Sequence, residues 1–241
     1  MASTTIKNRI NDLIGDFVSE LSSELELVCS AFNEVVDLCP NNLLWKYVDN
    51  FEDLYSGNAN FPLEGYKIIA IHRKDTNGVK RIARQVSVSE GNAASDANSI
   101  YYMDAAQEKS PIFFIDGSGA SLKLLPAVTG LTAGVANTAY AYYFKYFSPD
   151  DSETDTIQRV SIINMYLYNE DANKSIINHG YPKEAVQAGC LKAAINIINA
   201  KVSLAVQEEE DAELLTLLQS QAQALTASYN AELKRIQEVA E

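Results

Sequence analysis

The chain has 241 residues, 47% of them hydrophobic, with a formal net charge of −13 and a pI near 4.6. That length accommodates one large domain or two small ones, and the apolar content is enough for a real core. A protein this acidic repels nucleic acid unless its charge is segregated.

No apolar run of roughly 20 residues stands out, so no membrane-spanning helix is expected. The opening Met1-Ala2-Ser3-Thr4-Thr5 has no basic region followed by an apolar core, so no signal peptide is expected either. Cys29, Cys39 and Cys190 form an odd and sparse set, read as buried or free thiols in a reducing compartment.

Thr4 or Thr5 is positioned to cap a first helix. Ile6, Ile10, Leu13, Phe17, Leu21, Val28, Phe32 and Val35 keep helical spacing for about nine turns. The helix should end near Cys39-Pro40, because proline disfavours helix at the residue before it. Asn41-Asn42 restarts a short piece with Leu43, Leu44 and Trp45, and 49–62 reads as a connector.

At Gly65 the period becomes strand-like. Tyr66 to Arg73 is a strand, Asp75-Thr76-Asn77-Gly78 a turn and Val79 to Val88 the return strand of a hairpin. The small, polar stretch 90–98 reads as a loop. Pro111 to Asp116 and Ser121 to Leu125 read as paired strands about the turn Gly117-Ser118-Gly119, and 129–137 as a further loop. Thr138 to Phe147 is a strand with Tyr140, Tyr142, Phe144 and Tyr146 on one face. Ala139, Ala141, Tyr143, Lys145 and Phe147 lie on the other. Neither face is strongly polar, so both are expected to be covered. The segment 148–156 is an acidic linker, 157–167 is ambiguous between strand and helix, and 169–180 is a polar loop.

Two long helices follow. Tyr181-Pro182-Lys183-Glu184 opens the first, with proline at the first helical position. Its apolar face runs Val186, Leu191, Ala194, Ile195, Ile198, Val202, Ala205. The acidic run Glu208-Glu209-Glu210-Asp211 interrupts the pattern, with Asp211 placed to cap the second helix. That helix carries Leu214, Leu218, Ala222, Leu225, Tyr229, Leu233 and Ile236 on one face. A short connection between two amphipathic helices packs them antiparallel. The expected fold is therefore α+β. A helical body forms from the N-terminal helix (1–48) and two C-terminal antiparallel helices (157–241), with an antiparallel β-rich module (64–147) inserted.

Charge is segregated along the chain. Residues 61–89 hold six basic side chains against two acidic ones, a net of +4. Residues 207–241 hold eight acidic side chains against Lys234 and Arg235, a net of −6.

Motifs for chemistry are sparse. Gly117-Ser118-Gly119 has no Gly-Lys-Ser/Thr after it, so it reads as a turn and not a phosphate cradle. No Gly-x-Ser-x-Gly elbow and no His-Glu-x-x-His occurs. His72 lies in a strand and His179 in a loop, with no nucleophile or carboxylate partner evident in sequence, so a structural or exposed role is expected for each. The cysteines lack a C-x-x-C pair, which argues for packing over zinc. The run 208–211 lacks the alternating oxygen ligands and central glycine of a calcium loop. No catalytic, cofactor-binding or metal residue is assigned, and no cofactor is expected. The basic hairpin has two readings, contact with DNA phosphates or neutralisation of acidic protein surface. The net charge favours the second. The tyrosines at 140–146 read as sheet packing ahead of a ligand platform.

Three stretches resemble the head-to-tail connector proteins of tailed bacteriophages, also called neck, adaptor or ring proteins. One is Tyr181-Pro182-Lys183-Glu184-Ala185-Val186, opening an Ala-rich helix to Ala205. Another is Glu209-Glu210-Asp211-Ala212-Glu213-Leu214 leading to Tyr229-Asn230-Ala231-Glu232-Leu233. The third is Pro111 to Pro126 followed by Tyr142-Tyr143-Phe144-Lys145-Tyr146. The resemblance implies a non-enzymatic structural virion protein, assembled in the bacterial host cytoplasm and located at the capsid–tail junction. It implies a ring, commonly of twelve copies, that joins the portal protein to a downstream neck or tail protein. Genomic DNA would pass through the channel without sequence-specific binding, and no membrane would be involved. Carboxylates lining such a channel would repel the phosphate backbone and let DNA slide. Two alternatives stand beside it. One is another phage tail-completion or baseplate protein. The other, of a different class, is a small-ligand or carbohydrate-binding module using the Tyr140–Tyr146 face. An enzyme is the weakest reading; His72 and His179 would be its first candidates.

Overall fold

The computed structural model describes residues 4–15, 22–48, 51–53, 58–59, 65–75, 77–103, 109–116, 121–126, 139–149, 162, 165, 167, 175–207 and 212–240. The architecture is α+β. Two compact units divide the chain: residues 1–47 with 146–241, and residues 48–145.

The first unit is helical and built from both chain ends. Helix α1 (Ile6–Ile14) starts where the Thr5 hydroxyl accepts the Asn8 N–H at 3.2 Å. It buries Ile6 and Ile10 completely. The sequence periodicity predicts that this helix continues for some nine turns, but it stops at Gly15. There φ is +81°, and the Gly15 N–H closes on the Asn11 carbonyl at 2.8 Å. Glycine takes this left-handed conformation without steric penalty, so the periodic pattern is overridden by a C-terminal cap. Phe17 and Leu21, counted in the same face, lie outside the described residues. Helix α2 (Ser22–Leu38) resumes the pattern with Val28, Phe32, Val35 and Val36 buried, and it ends before Pro40 as expected. A one-turn helix, α3 (Asn41–Leu44), buries Leu43 and Leu44.

The C-terminal half of this unit begins with a 3-10 turn at Ile176–His179, closed by Gly180 at φ +81°. A second 3-10 turn, Lys183–Ala185, precedes the long helix. Proline is therefore not the first residue of the α-helix. Pro182 stands extended before the 3-10 turn, and the Ala185 N–H bonds the Pro182 carbonyl at 2.9 Å. Helix α5 (Val186–Gln207) is buried at Val186, Ala188, Gly189, Cys190, Leu191, Ala193, Ala194, Ile195, Ile197 and Ile198. Ten of the first thirteen positions cannot share one face of a helix with 3.6 residues per turn. The expectation of a single apolar stripe is therefore corrected: α5 is a central helix, packed on α1, on α2 and on α6 (Ala212–Ala240). It also corrects the reading that no long apolar run exists. Lys183–Gln207 is long and apolar enough to cross a membrane by length and composition. Here that apolarity is used against three neighbouring helices.

Polar ties fix the helices to each other. Arg9 Nε donates to Gln187 Oε1 at 3.1 Å, and Lys192 pairs with Glu34 at 2.8 Å. Gln221 Nε2 reaches the Leu13 carbonyl, the open C-terminal end of α1, at 3.0 Å. At the opposite end of α6, Arg235 donates to the Glu184 carbonyl at 3.0 Å. With the end of α6 thus tied to the start of α5, the two helices run antiparallel. The predicted stripe on α6 is buried only from its middle onward, at Leu225, Tyr229 and Ile236, while Leu214 is exposed. The Asp211 cap lies outside the described residues.

The described residues of the second unit form two four-stranded sheets. The first has the order β1 (Phe51–Asp53), β8 (Ala139–Lys145), β3 (Tyr66–Lys74), β4 (Lys80–Ile82), all antiparallel. The second has the order β2 (Asn58–Ala59), β7 (Ser121–Leu125), β6 (Ile112–Asp116), β5 (Arg84–Gln85), with only the β5–β6 pair parallel. Registers include Ile71 opposite Ala141 and Phe113 opposite Leu124. A shift between Ile68 and Ala70 marks a bulge in β3.

Three expectations for this unit are corrected. The segment 49–62, read as a connector, contributes β1 and β2. Both are too short to carry an alternation, and their state is set by their partners β8 and β7. The return strand 79–88 is not one strand. The chain leaves β4 at buried Ala83 and crosses to the other sheet as β5, so one segment serves both sheets. The loop predicted at 90–98 is instead mostly helix α4 (Val88–Ser95), whose Ser87 cap accepts the Glu90 N–H at 3.2 Å. Its glycine and alanines read as loop composition, but Gly91 and Ala94 are the residues that allow close approach to the sheet. The turn 117–119, the loop 129–137 and most of 150–174 lie outside the described residues.

The two sheets share one core. Ile71, Ala139 and Ala141 of the first and Phe113, Leu122 and Leu124 of the second pack with Ala83. Each fully buried side chain of Leu or Phe size contributes about 1.5–3 kcal/mol relative to exposure. On the other face of the second sheet, Ile112 and Phe114 pack with Val86 and Ala94, which holds α4 in place. Strand alternation therefore feeds two cores.

Candidate functional site

The residues singled out for chemistry are divided between the two units. His72 projects from β3 on the side opposite core residue Ile71, with its ring edge-on to Tyr142 at 5.0 Å. Burial, and then the nearby Lys80, push its pKa below the ordinary imidazole value. His179 ends the 3-10 turn before Gly180, in the other unit. Cys29, Cys39 and Cys190 are all buried, and none is in a disulfide. Burial pushes Cys190 up to about 12, with Arg9 opposing weakly, so the thiol stays protonated and unreactive. Among the described residues, no three His, Cys, Asp or Glu side chains stand together as a metal-ion set.

The basic hairpin turns out to use much of its charge internally. Arg73 is buried and donates to the Pro126 carbonyl at 3.1 Å. Asp75 anchors the turn: its Oδ1 accepts the N–H groups of Asn77 at 3.0 Å and Val79 at 2.9 Å, and its Oδ2 pairs with Arg81 at 3.1 Å. These bonds, led by that from Val79, hold the Asp75 carboxyl below its usual pKa against an opposing desolvation effect. Arg84 pairs with Glu90 at 2.9 Å. Lys74 and Lys80 stand 5.4 and 4.9 Å from the centre of the Tyr140 ring, a double cation–π contact. Tyr140 is itself buried, as is Phe144 on the same strand. The tyrosine stripe is thus packing surface at Tyr140 and Phe144.

Two clefts lie among the described residues of the helical unit. One, of about 460 Å³, is lined by Glu26, Cys29, Asn33, Glu34, Asp37 and Phe147. Three of its polar side chains are engaged: Glu34 with Lys192, Asp37 with the Tyr146 hydroxyl, and Asn33 in two bonds of 2.9 Å with the Phe147 backbone. The other, of about 490 Å³, lies between α5 and α6 and is lined by Asn199, Val202, Gln219, Ala222, Gln223 and Thr226.

What the sequence reading missed is exposed apolar surface. The β3–β4 hairpin presents Val79 and Ile82, the latter 70% exposed. The free ends of the α5–α6 pair present Leu204, Val206, Leu214 and Leu217, the last 63% exposed. Ile100, Tyr101 and Tyr102 also stand out on a turn. That turn is held by the Asp96 and Ser99 side chains, which accept the N–H groups of Asn98 and Tyr101. The available signal was large apolar residues at the ends of elements, where a chain without partners would place polar ones. Exposed clusters of this kind mark interaction surfaces better than catalytic centres. Comparison with known proteins gives no family model, no curated protein and no solved structure that matches this chain.

Proposed function

We propose that the chain is a structural virion protein, a head-to-tail connector that joins portal to tail around the DNA channel of a tailed bacteriophage. The observation that carries this reading is the plan of the chain. Both ends build one helical unit with an antiparallel α5–α6 pair, and a β unit is inserted between them. This is the plan the resemblance in the sequence implies. Exposed apolar residues on both units support a protein whose surface is completed by neighbours. The proposed partners are further copies in a ring, the portal protein and a downstream neck or tail protein, in the virion neck.

Purified chain, alone and mixed with the portal protein of the same phage, tests this by mass in solution. A large symmetric assembly, formed alone or with portal, is the expected result. A chain that ignores the portal overturns the connector reading. Acidic side chains facing the bore would let DNA slide. A ring with lysines in the bore and carboxylates outside would sink that part.

A further inference from the structure

We propose that one face of the β3–β4 hairpin is a binding site for a small phosphate, inorganic phosphate or a phosphomonoester, held by Lys74 and Lys80 over the Tyr140 ring beside His72. The inference stands apart from the connector reading, since it needs neither a ring nor a portal.

The site is built by register. His72 and Lys74 are two residues apart on β3, so their side chains leave the same face, opposite that of the core residue Ile71. Lys80 lies directly across from Lys74, and Tyr140 lies across from His72 on the other side of the strand. Three strands thus bring two ammonium groups, an imidazole and a phenol ring to one place. The Lys74 and Lys80 Nζ atoms stand 5.4 and 4.9 Å from the centre of the Tyr140 ring. That ring is buried, whereas Lys80 is exposed and Lys74 half-buried, so the charges form the outer layer.

The charges are not balanced from within. Like charges directly opposite on a strand pair destabilise it. The Tyr140 ring attracts both ammonium groups, but a neutral ring cannot cancel two charges. Among the described residues neither Lys74 nor Lys80 has an ion-pair partner. Asp75, next in sequence to Lys74, is committed to the turn and to Arg81. His72 feels the same field: after burial, Lys80 is the cause that pushes its imidazole below the ordinary value. A bound anion would relieve the repulsion.

The amount of charge favours phosphate. A carboxylate brings one negative charge, whereas a phosphomonoester near pH 7 brings about 1.5–2 and three strong acceptor oxygens. Lysine serves such groups as a point charge with three donors. Duplex DNA also carries phosphates, but the net charge of −13 on this chain opposes so large a polyanion.

The chain has two histidines, and His179 lies in the other unit, so one spectrum holds both probe and control. Inorganic phosphate is titrated into the full chain at fixed pH and constant ionic strength, with chloride as the balancing anion, and the histidine ring protons are followed by NMR. The His72 signals should move along a saturating curve, with a dissociation constant on the order of 1 mM. The His179 signals should stay in place. Lys74→Gln and Lys80→Gln should each weaken binding about tenfold or more, with circular dichroism checking that each variant is folded. Lys234→Gln, in the other unit, should bind as the wild type does. Phenyl phosphate separates the two sources. Tighter binding than inorganic phosphate assigns the site to a phosphomonoester, and equal or weaker binding assigns it to the free ion. A wild-type shift that does not saturate, that chloride reproduces or that His179 shares overturns the proposal. So does binding that both hairpin variants retain. A DNA duplex that moves the His72 signals at a lower phosphate concentration than inorganic phosphate also overturns it, by assigning the lysines to a nucleic-acid backbone.

Discussion

Gly189 lies directly against the ring of Phe32. A Cβ added at Gly189 would stand 2.7 Å from Phe32 Cε1 and 2.8 Å from Cδ1, closer than real Cβ atoms come. The ring is held in turn by Tyr181, at 5.2 Å between centroids, and edge-on by Phe147 at 6.3 Å. The packing of α2 on α5 at this point therefore depends on a missing side chain.

Gly189→Ala should destabilise the helical unit. Alanine improves helix propensity by about 1 kcal/mol, but overpacking a core typically costs about 1–3 kcal/mol. The Phe32 ring is fully buried and packed against Tyr181 and Phe147, so the clash should win. Denaturant unfolding followed by far-ultraviolet circular dichroism is the measurement. A midpoint equal to or above that of wild type would show that the ring yields freely.

Gly91→Ala should do more harm to the β unit. There the added Cβ would stand 2.2 Å from Phe114 Cδ1 and 2.4 Å from Cγ. Those atoms are near the base of a buried ring, which has less freedom to move than a ring tip. Limited proteolysis is the simplest readout. Cleavage within residues 80–125 should rise several-fold over wild type as α4 lifts from β6; unchanged cleavage would place α4 elsewhere.

Tyr229→Phe should be neutral or stabilising. The Tyr229 hydroxyl is buried with no hydrogen-bond partner among the described residues, which costs about 1–3 kcal/mol when left unmade. Lys192 lies 5.7 Å from the ring centre, and phenylalanine keeps that contact. A thermal midpoint below that of wild type would mean that the hydroxyl has a role.

Asp75 should make the hairpin sensitive to acid. Its folded pKa is depressed, so the carboxylate contributes stability above its ordinary value of 3.8, and that contribution is lost as pH falls through the lower folded value. Asp75→Asn should lower stability at neutral pH, since the pairing with Arg81 is lost, and flatten the acid limb of the stability profile. Hydrogen exchange at the Asn77 and Val79 amides across the acid range reads this locally. An unchanged acid limb in the variant would assign the pH dependence to other carboxylates.

Cys190 should resist alkylation in the native protein. Its pKa is raised from 9.0 to about 12 by burial, so the protonated thiol contributes stability that is complete below pH 9 and is lost as pH climbs toward about 12. Cys29 and Cys39 are buried as well. Iodoacetamide at pH 8, followed by mass spectrometry, should modify none of the three until denaturant is added. Rapid native labelling would mean that α5 opens locally.

Much of this fold was legible because burial and period coincide. Strand β3, the β6–β7 pair and β8 follow the spacing of their apolar residues, and the two long C-terminal helices form where that spacing put helices. The end of α2 at Pro40 and the turn at Gly78 follow from local backbone chemistry. The surfaces were less legible. Leu214 belongs to a perfect helical stripe with Leu225 and Tyr229, yet it is exposed while they are buried. Periodicity says which residues share a face and nothing about how far along the helix that face is covered.

By itself the sequence determined the α+β class, the antiparallel C-terminal pair and the absence of any recognised catalytic motif. These follow from local rules, namely period, proline, glycine and spacing, which act within a few residues of chain. Only the tertiary structure decided that Gly15 ends the first helix and that α5 is a core helix. It also decided that Ala83 marks a crossing between sheets, that 88–95 is helical and that Ile82 and Leu217 are left uncovered. Each of those outcomes depends on which distant residues come into contact, such as Phe114 on Gly91 or Phe32 on Gly189. Burial is a property of the assembled surface, and no single segment carries it.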